Sequence, residues 1–153
     1  MRLVVQEDGA GNTLNKQCDW MGEVRPATEV AADLQKRMLR IADLYIMDDG
    51  RSVDYARCGT SGAFREYRVV AMELQKVDLS MLSVAESMSF WLNLYNALVV
   101  HANIQLGPPK NMFERSRFFN GVNYVIGGHQ YSLSVIEHGI LRRTNSTRAI
   151  VGG

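Results

Sequence analysis

The side chains in this chain of 153 residues that could do chemistry are few. They are His101, His129, His138, Glu137, Arg142 and the amides Asn93 and Asn96. Glu137, His138 and Arg142 come closest to a working cluster. His138 and Arg142 stand four apart, on one face of a helix, with Glu137 beside them. Near a helix N-terminus such a trio can bind an anion or orient a proton carrier. The plainer reading, preferred here, is that Glu137 caps the helix and His138 fills a polar boundary position. His101 falls beside Leu94 and Leu98 on an apolar face, where a histidine is more often a satisfied core residue than a ligand. His129 sits at a hairpin tip and is expected to be exposed. Three histidines without ligand-like spacing do not make a metal centre. Gly-x-Ser-x-Gly, His-Glu-x-x-His and Cys-x-x-Cys are all missing from the sequence, so no known catalytic constellation is complete. The expectation is no catalytic residue, no metal and no cofactor.

Asn93 and Asn96 are more informative. Each amide offers two donors and two acceptors, and burying one unpaired costs about 1–3 kcal/mol. Two readings stand. Either these amides tie their helix to the backbone of the hairpin or of Val53-Asp54 and fix the packing register, or they line a ligand pocket. The first is preferred.

These residues must be positioned by the long stretch Ser83–Gly107. Ser83 and Glu86 are spaced as a capping box. Gly107 is a natural stop, and Pro108-Pro109 forbids continuation. A helix of this length runs roughly 34 Å. Its only acid is Glu86, and it has no Lys or Arg, so it is expected to be buried on most sides. A membrane span is disfavoured by its three Asn, its Gln and its His, and by the missing basic anchors. At 100° per residue, Glu86, Ser89, Asn93, Asn96 and Asn103 share an arc of roughly 100°, interrupted by Val100 and Ile104.

The other elements follow from local signals. Residues 28–46 form an amphipathic helix with Thr28 as cap and Val30, Leu34, Met38, Ile41 and Tyr45 as its buried stripe. Residues 47–55 cluster acids and Gly, but they lack the spaced ligands of a calcium loop. Asp49-Gly50 reads as a turn, followed by a short extended SVDY segment. CGTSGAF (58–64) is not a phosphate loop, and Ser61 caps a helix over about 62–77. Residues 111–119 make a turn or two of helix. Lys110, Arg115 and Arg117 are its basic patch, interleaved with Phe113, Phe118 and Phe119. NYVIGGHQYSL (123–133) is a hairpin turning on Gly127-Gly128. Ser134 and Glu137 are spaced as a second capping box, opening a helix to about Arg143. Residues 1–25 read as a linker or ragged N-terminal segment, with RLVV as a possible short strand and Trp20 docking onto the domain. The tail TNSTRAIVGG has no capped element. Its Asn145-Ser146-Thr147 is a glycosylation triplet that matters only in a secreted protein.

FWLNLYNALVVHA (90–102) and YVIGGHQYSLSVIEHGILR (124–142) resemble the DUF547 family, a domain of unknown function. SVDYARCGTSGAFREY (52–67) is similar to that family's upstream Val-Asp-Tyr segment. The resemblance covers about residues 28–148. It implies a domain found beside DEP domains, glutaredoxin-like domains or coiled coils, and it names no reaction. Family members usually continue into a His-Phe-Ala-Leu stretch and a Cys-containing segment, whereas this chain ends RAIVGG. The resemblance therefore implies a domain, residues 26–153, incomplete at its C-terminus.

The formal net charge of +1 gives no drive toward nucleic acid, an anionic surface or acidic substrates. Two cysteines are not a disulfide framework, and MRLVVQEDG has no signal-peptide core, so cytoplasm is the default location. The fold expected is α+β and mostly α, with helices packed around the one at 84–106 and a small hairpin at the side. The function expected is an intracellular interaction or scaffold module, its partner another protein or the rest of a longer parent chain. Nucleic acid and a membrane span are not expected. The alternative is a thiol-hydrolase-like or transglutaminase-like scaffold whose nucleophile lies in the missing segment.

Overall fold

The computed structural model describes residues 12–142. Helix α1 (Ala27–Leu44) packs against α3 (Gly62–Glu73) and α4 (Val84–Leu106). The four-residue helix α2 (Tyr55–Cys58) sits against α4, and α5 (Met112–Gly121) leads into an antiparallel hairpin. Strands β1 (Asn123–Ile126) and β2 (His129–Ser132) form that hairpin, with Asn123 opposite Ser132 and Ile126 opposite His129. A π-helical segment, Val135–Leu141, follows and packs on α4. The architecture is α+β and mostly α, as the sequence implies. Among the described residues no helix is long and apolar enough to cross a membrane.

The local signals explain most of these elements. The Ser83 hydroxyl accepts the Glu86 N–H at 3.1 Å, and the Glu86 carboxylate accepts the Ser83 N–H at 3.1 Å. This reciprocal pair starts α4. At the other end Gly107 takes φ +80°, a region that favours glycine, and the helix stops. Ser61 caps α3 as expected, accepting the Phe64 N–H at 3.1 Å. In the 47–55 segment the Asp49 carboxylate accepts from the Arg51 and Ser52 N–H groups and from the Ser52 hydroxyl, closing a turn at Gly50 (φ +68°). These bonds draw the Asp49 carboxyl down to about 2.

Three expectations change. Thr28 does not cap α1. The cap position is Pro26, without a side-chain bond, and the helix begins at Ala27. The expected extended SVDY segment gives way at Tyr55 to a helical turn, Tyr55–Cys58, because the Asp54 side chain accepts the Arg57 N–H. The capping box at Ser134 does not form. Ser134 already has helical dihedrals (φ −59°, ψ −47°), so its side chain cannot fold back onto the first turn. Ser132 does the work instead, accepting the Val135 N–H at 3.1 Å.

Residues 12–20 lie against the core. Leu14 is fully buried and Asn15 is enclosed, while the Trp20 N–H donates to Gln75 Oε1 at 2.9 Å. A 3-10 turn, Leu74–Lys76, extends α3 and receives the hairpin. The Gly127 N–H donates to the Leu74 carbonyl and the Gly128 N–H to the Gln75 carbonyl, both at 2.9 Å. Arg25 ties the same region to α1 and α3. Its guanidinium reaches both oxygens of the buried Glu73 carboxylate, at 2.9 and 2.6 Å, and Asp33 at 3.0 Å. Asp33 also accepts from Arg37, which reaches on to Glu66. Burial alone would raise the Asp33 carboxyl. The bonds and charges of Arg25 and Arg37 together outweigh that and hold it below the usual range. The RLVV, Arg143 and Asn145-Ser146-Thr147 expectations lie outside the described residues.

Candidate functional site

His101 is fully enclosed. Its Nδ1 lies 2.6 Å from the Tyr124 hydroxyl and its Nε2 lies 3.1 Å from Gln105 Oε1. The Tyr124 hydroxyl continues to the Tyr67 hydroxyl at 3.0 Å, and Tyr67 donates to the Ala97 carbonyl at 3.2 Å. Phe64 and Tyr67 both meet the imidazole edge-on at 5.4 Å. The row thus joins α3, α4 and β1 through the core. Burial pushes the imidazolium down to about 3, with the Arg68 charge adding to the effect against the Gln105 bond. The ring is therefore neutral. Burial likewise raises the Tyr67 and Tyr124 phenols, so both stay protonated.

Proton counting along the row allows it two senses. If Tyr67 donates to Ala97, it must accept from Tyr124, and Tyr124 must accept from the His101 Nδ1–H. Nε2 is then an acceptor and calls for the NH₂ end of the Gln105 amide, which turning the amide end for end supplies. With the oxygen facing Nε2, the single Tyr67 proton has two acceptors to serve. In either sense the row is a closed structural tie, without an opening through which a substrate would meet the ring.

Asn93 and Asn96 do not bridge the helix to the hairpin or to Val53-Asp54. Asn96 is exposed, Asn93 and Asn103 are half-buried, and none of the three side chains has a hydrogen-bond partner among the described residues. The reason is geometric. The π segment and the hairpin meet α4 through Trp91 and Tyr95, leaving the amide stripe to the other side. The bridging is done by Asn15. Its side-chain amide donates to the carbonyls of Ala71 (2.9 Å) and Val125 (2.8 Å), and its oxygen accepts the Val125 N–H at 2.8 Å. Gln75 completes the joint by donating to the carbonyls of Asn15 and Cys18. In the sequence Asn15 lies within the stretch 1–25 that reads as a linker. Its partners lie 56 and 110 residues away, and no local signal marks them.

The front of the amide stripe has a different setting. Glu86, Ser89 and Asn93 line a groove between α1 and the first half of α4, facing Thr28, Ala31, Ala32 and Gln35, with Phe90 at its base. The groove holds about 400 Å³ there. It continues into a second hollow of about 420 Å³ that shares Thr28 and Glu86 and adds Val24, Pro26, Met81 and Leu82. Met81 stands 82% exposed at its rim. Bonds from the Ser83 N–H and hydroxyl region lower the Glu86 carboxyl and keep it charged.

The trio on the π segment comes apart. Glu137 accepts from the Tyr95 hydroxyl at 3.2 Å instead of capping. His138 is exposed and meets the Phe119 ring edge-on at 5.7 Å, and Arg142 is exposed with no ion pair among the described residues. Cys58 is buried, and burial together with the Asp54 charge raises its thiol, which disfavours the thiolate. No hydrogen bond joins Cys58, His101 and His138 among the described residues, nor do three His, Cys, Asp or Glu side chains gather there as metal ligands would.

Residues 79–151 match the family described as "Protein of unknown function, DUF547". This part of the chain is similar to the DUF547 family. The matched DUF547 stretch runs from just before the α4 capping box through the hairpin and the π segment. It thus contains His101, Tyr124 and the α4 wall of the groove, whereas α1, α3 and Asn15 lie before it. No curated protein and no solved structure matches the chain.

Proposed function

We propose that this chain is a non-enzymatic interaction module, and that the groove between α1 and α4 receives a peptide segment of a protein partner. The observation that carries the reading is the contrast between two places. In the core Tyr67, His101 and Tyr124 are enclosed and paired with one another. The groove is open, is walled on the α1 side by the small residues Ala31 and Ala32, and carries exposed Met81 at its rim. Exposed apolar residues beside a hollow with a few polar groups are the usual make-up of a recognition surface. Asn93, Ser89 and Gln35 would then fix the peptide by hydrogen bonds, and their lack of partners among the described residues supports that role. A cytoplasmic setting suits the free Cys18 and Cys58.

The test is selection of displayed random peptides on the wild-type chain, followed by titration of the selected peptide against Ala32→Trp. Ala32 is an exposed groove residue, so tryptophan there fills the groove without entering the core. Loss of binding by Ala32→Trp supports the reading. Selection of peptides that bind both proteins equally sets it aside.

A further inference from the structure

Helix α5 differs from every other helix among the described residues in having no buried residue. Phe118 and Phe119 hold it to the core by their partly buried rings. Its first turn points away. Met112 is 78% and Phe113 is 69% exposed. Around them stand Lys110, Arg115 and Arg117, none of which joins an ion pair among the described residues. The one carboxylate in residues 110–121, Glu114, is turned back to accept the Lys110 N–H at 2.7 Å. Three cations and two large apolar side chains therefore share one projecting helix end, in a molecule whose formal net charge is only +1.

We propose that this end docks on an anionic phospholipid surface. Met112 and Phe113 enter the boundary between headgroups and acyl chains, while Lys110, Arg115 and Arg117 meet the lipid phosphates and carboxylates. The charge pattern calls for an anionic occupant. The exposed Met112 and Phe113 among these cations favour lipid over other polyanions, because apolar side chains gain by entering the headgroup–acyl boundary and a hydrated polyanion offers them no such layer. The Arg117 guanidinium lies over one face of the Phe113 ring at 5.8 Å, which leaves less of the ring for a nucleic-acid base to stack on. The inference is independent of the peptide groove.

The experiment is sedimentation of the full chain with phosphatidylserine-containing vesicles and with pure phosphatidylcholine vesicles. The expected result is partition onto the anionic vesicles alone, weakened by added salt. Arg115→Gln with Arg117→Gln should lower the partition coefficient by about thirty-fold. Met112→Ser with Phe113→Ser should lower it several-fold. Phe113→Trp should show a blue shift of its emission on the anionic vesicles. Because these positions are exposed, all variants should keep the wild-type circular dichroism. No partition onto anionic vesicles overturns the proposal, as does partition unchanged by the paired arginine substitutions. Binding to polyglutamate or a single-stranded oligonucleotide as tight as to vesicles, and indifferent to Met112→Ser with Phe113→Ser, also overturns it.

Discussion

Replacing Asn15 with alanine removes three hydrogen bonds from a fully buried joint, and the cost can be worked group by group. Ala71 O keeps a partner, since the Leu74 N–H also donates to it. The Val125 N–H loses the acceptor that Asn15 provides in the core. The Val125 carbonyl loses the donor that reaches it from the N-terminal segment. A buried polar group left unpaired costs about 1–3 kcal/mol, so the expected loss is about 2–4 kcal/mol once partial relaxation is allowed. In urea unfolding that loss lowers the midpoint by about 1–3 M. Asn15→Asp should not rescue the joint. It keeps an acceptor for the Val125 N–H but turns a carboxylate oxygen toward two carbonyls. Asn96→Ala is the matched control: exposed and without an internal partner, it should stay within about 0.5 kcal/mol of wild type. If Asn15→Ala moves the midpoint no further than Asn96→Ala, the joint does not hold the N-terminal segment to the fold, and the reasoning is refuted.

Other outcomes follow from the same structure. His101 has a folded value of about 3 against an ordinary 6.5, so between these the unfolded chain binds the extra proton. Stability is then complete above about pH 6.5 and falls with acid by up to about 1.4 kcal/mol per pH unit. His101→Gln should flatten that dependence between about pH 6 and 4.5 in urea titrations, before the lowered carboxylates begin to protonate. Gly127 has φ +58°, and a Cβ there would lie 3.0 Å from the Val77 carbonyl oxygen, whereas Gly128 (φ +88°) has open space. Gly127→Ala should therefore cost about 1 kcal/mol more than Gly128→Ala in thermal unfolding. Arg25→Ala leaves the buried Glu73 carboxylate unpaired and should cost about 2–4 kcal/mol, and adding Glu73→Leu should recover much of it.

What was legible in the sequence is what local chemistry decides. The α4 capping box, its stop at Gly107, the Ser61 cap and the Gly127-Gly128 turn need only neighbouring residues, and all appear as the sequence implies. His101 also reads correctly as a core histidine, because an apolar helix face surrounds it. The candidate site was less legible. Asn93 and Asn96 sit on the expected stripe, but which neighbour covers that stripe is settled by the packing of α1, the hairpin and the π segment. Asn15 lies in a Gly- and Asn-rich stretch that resembles any loop, and its partners are fixed only by tertiary contact. Ser134 and Glu137 have the right spacing for a capping box, yet the π winding and the pull of Tyr95 on Glu137 dissolve it.

The central claim is that recognition belongs to the α1–α4 groove and the enclosed polar core is structural. Amide chemical-shift mapping of the full chain with the selected peptide tests it most directly. Shifts concentrated on Thr28–Gln35 of α1 and Glu86–Asn93 of α4, with the Tyr67, His101 and Tyr124 amides unmoved, are the predicted result. Shifts centred on Cys58, His101 and Gln105, with the groove amides silent, would contradict it.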